Sequence, residues 1–92
     1  MFCTYLTLYR GAKLPPFYIG SSSVKKVESG YHGSVSSKRY GHLWRVELKE
    51  HPKLFSTKII SLHQTRFEAL TREEQLQRQL NVIRNELYMN LV

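Results

Sequence analysis

The chain has 92 residues, with 14 Lys+Arg against 7 acidic residues and a formal net charge of +7. Its composition, 41% hydrophobic and 23% charged, is that of a globular protein and excludes a disordered polyelectrolyte or a coiled-coil rod. The length admits one domain, spanning residues 1–92.

So large a positive charge on so small a domain implies a polyanionic partner, nucleic acid before membrane. No apolar run approaches the roughly 18 residues of a spanning helix, and no cationic-then-apolar signal segment opens the chain. The expectation is a cytoplasmic protein with no membrane partner. The single Cys3 excludes a disulfide framework and a cysteine-based zinc site. All seven acids are glutamates, at 28, 47, 50, 68, 73, 74 and 86, so metal sites built on paired aspartates are also excluded. The four histidines, at 32, 42, 51 and 63, form no helical zinc-hydrolase pair.

Residues 3–9 are rich in β-branched and aromatic types and alternate Tyr5, Thr7 and Tyr9 against Thr4, Leu6 and Leu8, which predicts a strand. The Gly and Pro residues of 10–16 predict a loop, and Phe17-Tyr18-Ile19-Gly20 a second strand paired with the first. Tyr5 and Tyr18 then neighbour one another. Ser21–Ser23 offer N-cap oxygens for a short helix over 24–29 stopped by Gly30. Gly30 and Gly33 bracket Tyr31-His32. Spacing of Tyr40, Leu43, Trp44 and Leu48 predicts a helix over 36–50, ended by Pro52. Residues 54–62 read as a third strand. Thr65 and Glu68 form a capping box that opens the last helix. Its apolar stripe runs Ala69, Leu76, Leu80, Ile83, and the position completing the rhythm is Glu73. The tail 85–90 is expected to lie back over the sheet. The fold class is therefore α+β, a three-stranded antiparallel sheet flanked by helices.

A carboxylate in a core-facing stripe shifts its pKa, pairs with a cation or holds a metal. For a lone helical glutamate, pairing with an arginine at the stripe's edge is the commonest arrangement. Glu74, about 100° further round the helix, is expected to be solvated.

Tyr5 on the first strand, Tyr18-Ile19-Gly20 on the second, Glu68-Ala69 before Glu73, and Asn90 near the end together resemble the GIY-YIG nuclease family. From Tyr31-His32-Gly33-Ser34 to Tyr88-Met89-Asn90 the chain is similar to phage-type homing nucleases of that family, so the resemblance covers nearly the whole sequence. The first motif reads Cys3-Thr4-Tyr5 rather than Gly-Ile-Tyr, and Glu28 stands where many members carry an arginine.

The resemblance implies a Mg²⁺-dependent endonuclease that hydrolyses DNA phosphodiesters, in the host cytoplasm if the gene is a phage's. By it, Glu73 holds Mg²⁺ or Mn²⁺, Tyr5 helps deprotonate the attacking water, and Tyr18 orients water or phosphate. Arg39, with Lys38 and His32 as rivals, supplies the cation that neutralises developing charge. Gly20, Lys38, Arg39 and Asn90 are the candidate DNA contacts, and an additional DNA-binding domain outside this chain would supply specificity. The alternative reading is a noncatalytic basic module that docks on nucleic acid, with Glu73 in a structural ion pair.

Overall fold

The computed structural model describes residues 1–90. Three strands, β1 (Phe2–Tyr9), β2 (Phe17–Ser23) and β3 (Phe55–His63), form one antiparallel sheet in the order β2-β1-β3. Helix α1 (Val24–Glu28) follows β2, α2 (Gly41–Glu50) precedes a single 3₁₀ turn (Pro52–Leu54), and α3 (Arg66–Leu80) follows β3. The expected α+β class holds. Among the described residues no helix is long and apolar enough to cross a membrane.

β1 is central because it is the strand with side chains fit for burial throughout. Cys3, Thr4, Tyr5, Thr7 and Tyr9 are all buried, and the hydroxyls of Thr4, Thr7 and Tyr9 are hydrogen-bonded, Thr4 donating to the Ala69 carbonyl at 2.9 Å. Strand register places Tyr18, Thr7 and Thr57 in one row across the three strands, and Gly20, Tyr5 and Ile59 in the next. Directly opposed residues point to the same face, so these side chains share a surface. Between Thr4 and Tyr5 the pairing with β3 slips by one residue, a bulge at Ile60.

Beneath α2, Tyr9, Leu14, Val35, Trp44, Phe55 and Met89 form the main hydrophobic cluster. Its aromatic rings meet edge to face or tilted, Trp44 and Phe55 with centroids 5.1 Å apart and Tyr9 and Phe55 5.0 Å. Met89 belongs to the tail, which runs along the open edge of β2: Phe17 N donates to the Leu87 carbonyl and Met89 N to the Phe17 carbonyl. The Asn90 amide continues the ladder, accepting from Ile19 N and donating to Ile19 O, both at 3.0 Å. An otherwise open edge strand is thereby sealed.

Several element boundaries differ from the sequence expectation, β2 by running on through Ser21–Ser23. The second helix starts at Gly41, not Ser36, because Ser37 spends its side chain and carbonyl on a tight turn: Tyr40 N donates to Ser37 Oγ and Gly41 N to Ser37 O. In the last helix, the stripe does not continue to Ile83. Asn81 adopts the left-handed conformation (φ 52°, ψ 44°) and ends the helix, so the phase is lost; Val82 is fully buried while Leu80 and Ile83 are exposed. The short helix and the capping box are as expected: Ser23 accepts from Lys26 N, and Thr65 and Glu68 bond reciprocally.

Candidate active site

Tyr18, Glu73, Gln77, Ser36, Ser37 and Asn90 line a cleft of about 270 Å³ whose floor is Val35 and Met89. The helical spacing that put Glu73 on the inward side of α3 also brings Gln77, four residues on, beside it; Gln77 Nε2 donates to Glu73 Oε2 at 2.9 Å. Of the seven glutamates, five are exposed. Glu47 is buried with cations around it, and Glu73 is the half-buried one with no ion pair among the described residues. The arginine partner that a structural role for Glu73 calls for is not there.

Tyr18 is anchored from below, its ring 5.7 Å from that of Trp44, and its hydroxyl donates to the Ser34 carbonyl at 3.2 Å. Tyr5 lies next to it with ring centroids 6.4 Å apart, and Tyr31 stands edge-on to Tyr5 at 6.3 Å. Gly20 and Gly33 make this trio possible. A Cβ on Gly20 would run into the Tyr5 hydroxyl, and one on Gly33 would lie 2.6 Å from Tyr18 Cε2 and 2.9 Å from Tyr5 Oη. Gly33 also has φ +112°, where side chains are strained regardless of space.

Burial, reinforced by Tyr18, Tyr31 and Glu73, holds the Tyr5 phenol far above its ordinary pKa. Burial and the Glu73 charge push Tyr18 up to about 12. Both hydroxyls are therefore neutral donors at physiological pH. A proton-abstracting Tyr5 requires a lowered pKa, which in this site would have to come from a cation bound at Glu73.

His32 does not stand free in its loop. Its ring lies 6.0 Å from that of Phe55, and Nδ1 is 2.7 Å from Thr57 Oγ1, which is 2.8 Å from Thr7 Oγ1. The protons in this chain follow by elimination. Thr7 has one hydroxyl proton and gives it to the His32 carbonyl at 2.7 Å, so Thr57 must donate to Thr7, and Thr57 must accept from His32 Nδ1–H. Neutral His32 thus carries its proton on Nδ1 and leaves Nε2 with a bare lone pair. Burial lowers its pKa, which favours that neutral form.

Lys38 and Arg39 are exposed on the turn before α2, just beyond the cleft residues Ser36 and Ser37, and the Arg39 guanidinium lies 5.7 Å from the Tyr40 ring centroid. Gly20 is buried beneath Tyr5, and both ends of the Asn90 amide are engaged by β2. Sequence reasoning missed Tyr31, Gln77 and the seat provided by Gly33. Only Gln77, at i+4 from Glu73, carried a readable signal.

A divalent cation of the magnesium type fits this donor set: one carboxylate without a cationic partner, in a cleft lined by the hydroxyls of Tyr18, Ser36 and Ser37, leaving the remaining positions to water and phosphate. Among the described residues no group of three or more His, Cys, Asp or Glu gathers, so Glu73 would be the charged ligand. Comparison with protein-family models, curated proteins and solved structures finds no match. The GIY-YIG resemblance rests on the motif residues.

Proposed function

We propose that the domain is a metal-dependent endonuclease acting on DNA phosphodiesters. The observation that carries this reading is the unpaired, half-buried Glu73 sharing a cleft with Tyr18, with Tyr5 packed behind Tyr18, in a protein of charge +7. Glu73 is distinguished from the exposed glutamates by being half-buried in its cleft with no lysine or arginine paired to it among the described residues, which suits it to recruit a cation.

Glu73 would hold Mg²⁺ or Mn²⁺, which supplies Lewis-acid polarisation of a phosphate oxygen when bound. The chain's own groups do the rest. Tyr18, locked on Trp44, presents a neutral hydroxyl that donates to a phosphate oxygen or the attacking water in place of Ser34. Tyr5 fixes the Tyr18 ring and keeps the site's rear wall dry. His32 Nε2 accepts the proton of the attacking water, with Thr57 holding the imidazole in the required tautomer. Arg39 and Lys38, on flexible side chains beyond the rim, neutralise the charge that develops on the phosphate.

The test is incubation of supercoiled plasmid with the wild type and Glu73→Gln, each with Mg²⁺ and with EDTA. Nicking by the wild type in Mg²⁺, lost with EDTA and lost by about 10²-fold or more in a folded Glu73→Gln, is the expected result. Binding without any nicking in Mg²⁺ would leave the noncatalytic basic module as the correct description.

A further inference from the structure

A different cleft, of about 370 Å³, lies between Ser21–Ser23 at the end of β2, Lys26 on α1, Tyr31, and Arg66 at the start of α3. None of its lining residues is acidic, whereas the other described clefts each contain a glutamate. Neither Lys26 nor Arg66 forms an ion pair among the described residues. Lys26 Nζ is held 5.4 Å from the Tyr31 ring centroid, which aims it without neutralising it. Ser23 accepts from Lys26 N and keeps its own proton to donate.

This cleft and the Glu73 cleft lie along the same helix. Arg66, Leu70, Glu73 and Gln77 recur at four, three and four residues, one face of α3, with the first two lining the basic cleft and the last two the Glu73 cleft. Tyr31 joins them on the opposite wall, lining the basic cleft while its ring contacts Tyr5. Seven residues of helix separate Arg66 from Glu73 by about 10 Å. A nucleic-acid strand lying along this face of α3 can therefore place one phosphate at each cleft.

We infer that Lys26, Arg66 and the Ser21–Ser23 hydroxyls form a second phosphate subsite, which grips the same nucleic-acid strand at another phosphate than the one at Glu73. The inference rests on the nuclease reading for the identity of the strand. Its consequence is directional: with one phosphate at each end of the α3 face, the strand is held in register rather than merely attracted.

The test uses thymidine oligonucleotides of increasing length, titrated into the protein in EDTA and followed by amide NMR. Affinity should rise in a step once the strand is long enough to span both clefts, with the Lys26 and Arg66 amides moving at that step. In Lys26→Gln/Arg66→Gln the step should vanish and the log-log salt slope should fall by about 0.7. Lys49→Gln/Lys53→Gln, with the same charge loss on the α2 side, should keep the step. Should the double variant misfold by circular dichroism, the single variants Lys26→Gln and Arg66→Gln take its place, each expected to shrink the step. A smooth length dependence, an equal loss in the control, or no binding would overturn the subsite. Parallel plasmid assays separate the two claims: a length step without nicking retains the subsite and removes the nuclease, and nicking without a step does the reverse.

Discussion

His32 Nδ1 donates to Thr57 Oγ1 across 2.7 Å, and Thr57 is free to accept because its own proton goes to Thr7. A strand residue thereby dictates the tautomer of a loop histidine. Thr57→Val keeps the branched shape and removes the acceptor. Long-range nitrogen–proton NMR should show neutral His32 protonated on Nδ1 in the wild type and a mixture of tautomers in the variant. Nicking should fall by about tenfold or more, a part of the 10²–10⁴ that proton transfer contributes. A wild-type ring protonated on Nε2 would sink both the assignment and the role.

Gly30 and Gly33 share positive φ, +103° and +112°, but differ in surroundings: a Cβ on Gly30 meets nothing within 4 Å, whereas one on Gly33 meets both tyrosines. Gly30→Ala should therefore cost only backbone strain, about 1 kcal/mol. Gly33→Ala adds displacement of Tyr5 and Tyr18 and should cost about 1–3 kcal/mol and most of the activity. Equal losses of thermal stability in the two variants would show that the tyrosines yield freely.

Local chemistry was readable in the sequence and tertiary partnership was not. The Thr65–Glu68 box, the Ser23 cap and the strand alternation are decided within a few residues, and each is found as expected. The placement of Glu73 followed from helical period alone. By contrast, the 31–34 segment packs against β1 and β3 across long stretches of chain, so neither the Tyr31–Tyr5 contact nor the Thr57–His32 bond leaves a local signal. Glu47 was hidden for the same reason: it sits among the apolar positions of α2, and its partners Tyr9 and Lys13 come from β1 and the loop after it.

Glu47 predicts an acid-sensitive step in stability. Its carboxylate is covered but shallow; Tyr9 Oη donates to Oε2 at 2.6 Å, and Lys13 and His51 stand 3.6 and 4.0 Å from Oε1. The Tyr9 hydrogen bond leads in lowering its pKa, with the Lys13 and His51 charges adding to it against the opposing effect of burial. A depressed folded-state pKa means stability that is present above the unfolded value, about 4.3, and lost as pH falls through the lower folded one. Thermal midpoints measured from neutral pH downward should drop in the wild type across that window. In Tyr9→Phe the drop should be smaller, starting from a midpoint already several degrees lower at pH 7. An unchanged acid profile in Tyr9→Phe would mean the hydrogen bond does not govern the titration.

The buried phenols predict the opposite limb. Tyr5 and Tyr18 have folded pKa values above the unfolded value of about 10, so their contribution is complete below that pH and is lost as pH rises beyond it. Ultraviolet difference titration of wild type against Tyr18→Phe should place the Tyr18 midpoint near pH 12, close to alkaline unfolding. A midpoint near 10 would mean that the Tyr18 hydroxyl is more open to water than its packing on Trp44 implies.

Asn90 separates a clamp from a DNA contact. Its amide accepts from Ile19 N and donates to Ile19 O, a two-way bond that only Asn or Gln chemistry provides at this edge. Asn90→Asp keeps the acceptor, loses the donor and sets a carboxylate against the Ile19 carbonyl, so stability should fall by about 1–3 kcal/mol. Because Ile19 lies between Tyr18 and Gly20, loosening the clamp should also unsettle the Tyr18 ring, and nicking should fall in step with stability. Affinity for DNA in EDTA at a temperature where the variant is folded should change little beyond the effect of one added charge. Were Asn90→Asp as stable as the wild type yet unable to bind, the residue would be a DNA contact and the pairing with Ile19 incidental.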